Sequence, residues 1–220
     1  MGRVAEDVHR IPLMPRDAVN AYLLGDVLVD SGYGSSAKRL VAAAREHGVG
    51  VHALTHAHPD HAGSSAAVAG AFGVPVWAGA RDAPQVEAGR TLLPDTWFAP
   101  LLVRASSWTP VPVARRLVEG DEVGPGFVVL DVPGHSAGHI AFWRESDGTL
   151  VAGDVLFNLN PLTFAPDLRE PPRVLTSDPA RNRESIRRLA ALDPAVVLFG
   201  HGPPLRDPAR LRALVDALPA

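Results

Sequence analysis

Apolar residues along the chain gather in short runs separated by glycine, proline and polar residues, the pattern of strands alternating with helices. Ala21 to Leu24 and Val27 to Val29 flank Gly25-Asp26 and read as a hairpin. A turn-rich loop from Asp30 to Ser35 follows, and Ser35 or Ser36 can cap a helix that runs to about His47 and stops at Gly48. Val49 to Leu54 reads as a short buried strand, Ala62 to Phe72 as a helix, Pro75 to Ala78 as a strand and Asp82 to Gly89 as a helix. From Ala80 to Val118 the pattern loosens. Leu92, Leu93, Trp97, Phe98, Leu101, Leu102 and Trp108 are scattered among prolines there, which suits a lid or pocket wall, the other uses being a satellite core or a contact in a homodimer.

Regularity then returns. Phe127 to Val132, Ile140 to Trp143 and Leu150 to Ala152 are β-type runs, and Val155 to Ser177 is a second irregular stretch. Pro179 to Leu192 reads as a helix capped by Asp178, Ala195 to Phe199 as a fully apolar strand, and Asp207 to Leu218 as a closing helix. Each half has strands, a helix and polar residues at a strand end, so an internal structural repeat is expected. The expected class is α/β, with residues 1–220 forming one domain.

Composition narrows the function classes. The net charge of −3 and the lack of a lysine/arginine-rich block argue against nucleic acid and acidic membrane surfaces as partners. No apolar run reaches transmembrane length. Acidic residues fall at Glu6 and Asp7, where a secretory signal would have its apolar core, so a cytoplasmic location is expected. With zero cysteines, any metal must be held by histidine and carboxylate.

The chemistry concentrates in Thr55-His56-Ala57-His58-Pro59-Asp60-His61, directly after a predicted strand. Extended backbone projects His56 and His58 to one side, Pro59 favours that geometry at His58, and Asp60 and His61 can address a second point nearby. Asp60 taken alone is more often a helix N-cap than a ligand, but packing has no use for three imidazoles in one loop. Three later sites repeat the theme of a ligand beside glycine after a β-type run: Gly134-His135, Gly153-Asp154 and Gly200-His201. Five histidines and two aspartates are the number needed for two metals that share one bridging carboxylate.

The series THAHPDH, PGHSAGH, AGD and FGHG, in this order, resembles the metallo-β-lactamase fold superfamily over roughly residues 22–204. The resemblance implies a four-layer αββα sandwich with two metals at one edge of its sheets. It implies that His56, His58 and His135 hold the first metal, that Asp60, His61 and His201 hold the second, and that Asp154 bridges them. Asp30 matches an aspartate that supports the ligand loop from behind, and His139 matches a structural position. The implied chemistry is attack by a metal-bridging hydroxide, with Asp60 orienting it or carrying a proton to the leaving group.

Departures from the family's branches narrow the substrate. Some secreted lactamases use a cysteine ligand, which is absent. Glyoxalase II-like thioesterases carry a long helical region after the last ligand, whereas 19 residues follow His201 here, so a glutathione thioester is not expected. Quorum-quenching lactonases typically place a tyrosine three residues after the bridging aspartate, where this chain has Phe157. The expected activity is hydrolysis of an ester, thioester, lactone or related bond of a small, partly apolar molecule, with Trp97, Phe98, Trp108 and Phe157 lining its pocket. Zinc is the expected metal, and iron and manganese accept the same donors. The alternative on the same fold is a mononuclear iron oxidoreductase resembling the persulfide dioxygenases.

Overall fold

The computed structural model describes residues 1–91 and 107–219. Seven strands, β1 (Gly2–Ala5), β2 (Val8–Pro12), β3 (Asn20–Leu24), β4 (Val27–Val29), β5 (Val51–Leu54), β6 (Val76–Gly79) and β7 (Val113–Leu117), form one sheet in chain order. The hairpin of β3 and β4 continues the antiparallel β1–β2–β3 meander, and β4 through β7 are mutually parallel. Helices α1 (Ala37–Ala44), α2 (Pro59–Ala62), α3 (Ser65–Phe72) and α4 (Ala83–Ala88) make the crossovers that parallel strands require. A second sheet holds β8 (Glu122–Val123), β9 (Phe127–Asp131), β10 (Ile140–Arg144), β11 (Thr149–Gly153) and, beyond the short pair β12 (Phe157–Asn158) and β13 (Leu168–Arg169), β14 (Val196–Phe199). Its order is β14-β11-β10-β9-β8, with α5 (Pro179–Ala190) and α6 (Pro208–Ala217) on its outer face.

Alternation along the strands explains the layering. Tyr22, Leu24, Val27 and Val29 face Phe127, Val129, Phe142, Val151, Val196 and Leu198 across the space between the sheets. The intervening Ala21, Leu23 and Leu28 turn the other way, onto Leu40, Ala44 and Val68 of α1 and α3. Val197 and Phe199 likewise turn outward onto Ile186, Leu189 and Leu211 of α5 and α6. Strands buried on both faces read as unbroken apolar runs, as Val27–Val29 and Val196–Phe199 do. The result is the expected αββα sandwich.

Several boundaries differ from expectation. The predicted helix to His47 is α1 followed by a separate 3-10 turn over Arg45–His47, with Gly48 in the left-handed region at φ +65°. The predicted helix Ala62–Phe72 is two helices broken at Gly63-Ser64. Within the 80–118 segment, residues 113–117 are a regular strand whose exposed Arg116 at the sheet edge concealed it. Trp97 and Phe98 lie outside the described residues. Trp108 is buried in a satellite core with Leu54, Val86 and Val111. It does not line the cavity over the histidine cluster, which corrects its placement as a wall of that pocket.

His52, on β5, is fully buried and has a structural task. Its Nδ1–H donates to the Leu28 carbonyl at 2.9 Å and its Nε2 accepts from the Ser65 hydroxyl at 2.9 Å. The Ser65 bond in this direction requires the neutral ring, whereas the Leu28 bond is kept by either form. Burial is the main cause that lowers the His52 pKa, outweighing the Leu28 carbonyl and Asp30, which raise it. The folded-state pKa lies below the unfolded value, so this stabilisation is present above about pH 6.5 and is lost as pH falls toward the folded value. His52→Gln is expected to cost about 1–3 kcal/mol in urea unfolding at pH 8 and less at pH 5; a pH-independent difference would exclude this role.

Candidate metal centre

Five of the seven cluster residues follow the C-terminal end of a strand, and Asp60 and His61 lie in the helix that comes next. His56 and His58 follow β5, His135 follows β9, Asp154 follows β11, and His201 follows β14. His58, extended at ψ 155°, occupies the capping position before Pro59 opens α2. Asp60 and His61 therefore lie inside the first turn, and the Asp60 side chain does not cap it. Being one turn further on, they address a different point from the His56–His58 pair.

The side chains converge as two groups. His56 Nε2 and His135 Nε2 stand 3.0 and 2.9 Å from His58 Nδ1. Asp154 Oδ2 is 3.3 Å from His61 Nε2 and 3.0 Å from His201 Nε2, and Asp60 Oδ2 is 3.2 Å from His201 Nε2. The same Asp154 oxygen lies 3.5 Å from His135 Nε2 and 3.9 Å from His56 Nε2, so it stands between the groups. Gly200 makes this possible: a Cβ there would lie 2.1 Å from Asp154 Oδ1 and 2.5 Å from the His61 ring.

Outer hydrogen bonds orient the rings and fix their tautomers. The Nδ1–H of His61 donates to Asp30 Oδ2 at 2.8 Å, and the Nδ1–H of His201 to the Ala18 carbonyl at 2.5 Å. His56 Nδ1 meets the Thr55 hydroxyl at 3.0 Å, and that hydroxyl donates to Asp30 at 2.8 Å. His135 Nδ1 faces the Thr176 hydroxyl at 3.4 Å. Asp30 thus lies behind the ligand loop, and it also accepts the Thr55 N–H at 2.8 Å. His139 points away from ligation: its Nε2 accepts the Asp154 N–H at 3.0 Å, and its ring stacks on His56 with centroids 4.6 Å apart. Burial drives its pKa down to about 3, so it stays neutral.

These donors fit cations. His56 and His135 aim lone pairs at one His58 nitrogen, and a single proton there cannot satisfy both. Metal–nitrogen bonds of about 2.0–2.1 Å place tetrahedral donors a little over 3 Å apart, close to the spacing seen. His61 Nε2 and Asp154 Oδ1 are buried without a hydrogen-bond partner among the described residues. The electrostatics agree. Burial disfavours charge on His61 and His201, yet Asp154, with Asp30 at His61 and Asp60 at His201, raises both, His201 to about 10. Burial would raise Asp60, but the His201 hydrogen bond and the His61 and His201 charges hold it far below the carboxylate range. The pocket is organised to keep positive charge.

The family model described as the metallo-beta-lactamase superfamily matches residues 14–201. The chain belongs to that superfamily. The probable metallo-hydrolase YflN of Bacillus subtilis is 30% identical over 81% of this chain and 76% of its own length. A hydroxyacylglutathione hydrolase of Bdellovibrio bacteriovorus is also 30% identical, but over 66% of this chain and only 46% of that enzyme. Among solved structures, TTHA1623 in a di-iron-bound form is 31% identical with a TM-score of 0.71, covering 93% of this chain and 96% of that one. The B3 metallo-beta-lactamase BLEG-1 is 28% identical with a TM-score of 0.66, covering 90% and 93%.

Sequence reading missed the residues that brace the His201 loop. Asn20 Nδ2 donates to the Phe199 and Gly202 carbonyls at 3.2 and 2.9 Å, and the Tyr22 hydroxyl donates to Phe199 at 2.7 Å. A buried asparagine opening an apolar strand was the available signal. Asp30→Asn is expected to turn an amide donor toward His61 Nδ1–H or Thr55 and to weaken divalent-cation binding about 10–100-fold in chelator competition. Wild-type affinity in that variant would remove Asp30 from the account.

Proposed function

We propose that the chain is a dinuclear metal-dependent hydrolase of a small ester, thioester or lactone with an apolar acyl part. The observation that carries this reading is two ligand groups meeting at one Asp154 oxygen on the floor of an apolar cavity. That cavity has a volume of about 540 Å³, with His58, Asp60, His135, Asp154 and His201 among its lining residues. Two divalent cations held there would supply activated water near neutral pH and polarisation of the scissile carbonyl.

The chain's own residues would do the rest. Asp60 both joins the cluster and lines the cavity, so its carboxylate can orient the attacking water and pass its proton to the leaving group. The Tyr33 phenol also lines the cavity; burial, Asp60 and Asp154 raise its pKa to about 12, so it remains a hydrogen-bond donor at neutral pH. Phe157 packs 4.4 Å from the His201 ring and puts no hydroxyl at the position where the lactonases have one. Val19, Leu159, Phe164 and Leu175 also line the cavity and suit a hydrocarbon acyl group.

Zinc is our first assignment on donor type, and iron is supported by the di-iron neighbour and by the same donors. A mononuclear dioxygenase would leave Asp60, His61 and His201 assembled without a task. No helix among the described residues is long and apolar enough to cross a membrane. A small-molecule substrate in the cytoplasm completes the proposal.

The deciding experiment is metal analysis of protein purified without added metal, with a panel of esters, thioesters and lactones of increasing acyl length. Two metals per chain, turnover that rises with acyl length, and a fall in kcat of about 10²–10⁴-fold in Asp60→Ala are expected. One iron per chain, oxygen uptake with a persulfide and no hydrolysis would replace the hydrolase with the dioxygenase.

A further inference from the structure

Asp82 contributes no atom to either ligand group, is completely buried, and opens α4 directly after β6. Its Oδ2 accepts from the Ala57 N–H at 3.0 Å and from the Ser136 hydroxyl at 2.6 Å. Its Oδ1 accepts from the Gly138 N–H at 2.7 Å and from Gln85 Nε2 at 3.3 Å. Ala57 is the residue between His56 and His58, and Ser136 follows His135. One carboxylate oxygen therefore ties the two loops that supply the three-histidine group, and those loops extend from different sheets.

We propose that Asp82 is a positioning residue that sets the separation of His135 from His56 and His58. This rests on reading the three histidines as a metal site. The contact is tight as well as bonded: a Cβ at Gly138 would lie 2.3 Å from the Asp82 nitrogen and 2.7 Å from Oδ1. No ion pair joins Asp82 to a cation among the described residues. Four neutral donors satisfy the buried carboxylate instead, as burial of such a group demands. Each oxygen accepts a backbone N–H, so an asparagine in the same pose would turn its NH2 against Ala57 or Gly138. Only a carboxylate accepts on both sides.

The His58 nitrogen stands about 3 Å from both of its neighbours. Metal–ligand bonds tolerate deviations of about 0.2 Å, so relaxing the tie between the loops should open the group beyond what one ion can bridge. The second group, Asp60, His61, Asp154 and His201, takes no bond from Asp82 and should be spared. Selectivity for one site is what separates positioning from general stabilisation.

The test uses the full chain with zinc and cobalt, reading stepwise affinities by chelator competition, the cobalt absorption spectrum, and urea unfolding of the metal-free protein. His58→Ala identifies the binding step that belongs to the three-histidine group. Asp82→Asn is expected to weaken that step about 10–100-fold and shift its cobalt bands, leaving the other step unchanged. Ser136→Ala, which removes one donor from the same oxygen, is expected to weaken the same step by less. Wild-type stepwise affinities and spectrum in Asp82→Asn would overturn the proposal, as would equal weakening of both steps in parallel with lost stability. If Asp82→Asn does not fold, Ser136→Ala decides, and unchanged metal binding there overturns the proposal. A wild-type chain that binds neither zinc nor cobalt fails at the earlier step, the metal reading itself.

Discussion

Asp154 carries a carboxylate that is 2% exposed and is met by histidine rings, with no lysine or arginine paired to it among the described residues. Burying an unanswered charge costs on the order of several kcal/mol, so the positive partner must be built into the fold or brought to it. Neutral rings do not supply it: burial, with neighbouring histidines, drives the pKa values of His56 and His135 well below the ordinary histidine range. His61 and His201 can hold protons, flanked as they are by Asp30, Asp60 and Asp154. Divalent cations answer the same demand and also use the lone pairs that His56, His58 and His135 direct at one point. The centre is thus a place where a proton-charged state and a metal-charged state compete, and the geometry of the three-histidine group favours metal.

That demand explains why so much of the surrounding structure is hydrogen bonding rather than packing. The sheets meet face to face through apolar side chains, which fix their spacing but leave rotation of loops at their edge free. The loops are held instead by individual bonds across the seam. Asn20 and Tyr22 of the first sheet take hold of the His201 loop of the second, and Asp82 joins Ala57 to Ser136. Asp30 does the same work within the first half, through Thr55 and His61. The apolar layers give the scaffold its stability. The polar ties give the site its distances.

Legibility in the sequence divides along the same line. Strands buried on both faces were readable as apolar runs, and the histidines and aspartates that cluster at their ends were readable by residue type and spacing, because both signals are local. The edge strands β1 and β7, and β2 beside β1, escaped notice, since Val8-His9-Arg10-Ile11 and Val113-Ala114-Arg115-Arg116 mix charge into short runs. Asp82 read only as the start of a helix and Asn20 carried no reading, because nothing nearby in sequence records partners at Ser136 or Gly202. Trp108 illustrates the opposite error. An aromatic in an irregular proline-rich segment suits a pocket wall, but its ring closes a satellite core over α4, and only the path of the chain decides between the two.

The irregular stretch from Val155 to Ser177 then takes on a particular meaning. The candidate metal ligands come from strand ends and from the first turn of α2, positions that belong to the scaffold, so they suit a class of chemistry without selecting a substrate. Phe157, Leu159, Phe164, Val174 and Leu175, all lining the cavity, come from that one stretch, and Val174 stands 81% exposed. Thr163 touches Arg16, and Thr176 touches His135, so the segment is anchored beside the N-terminal loop at one point and against the ligand set at another. The short strand pair of β12 and β13 brackets the first anchor, with Phe157–Asn158 before Thr163 and Leu168–Arg169 after it. Leu159, Phe164, Val174 and Leu175 belong to neither ligand group, so changes of side chain at these positions would reshape the cavity wall while keeping every candidate ligand in place.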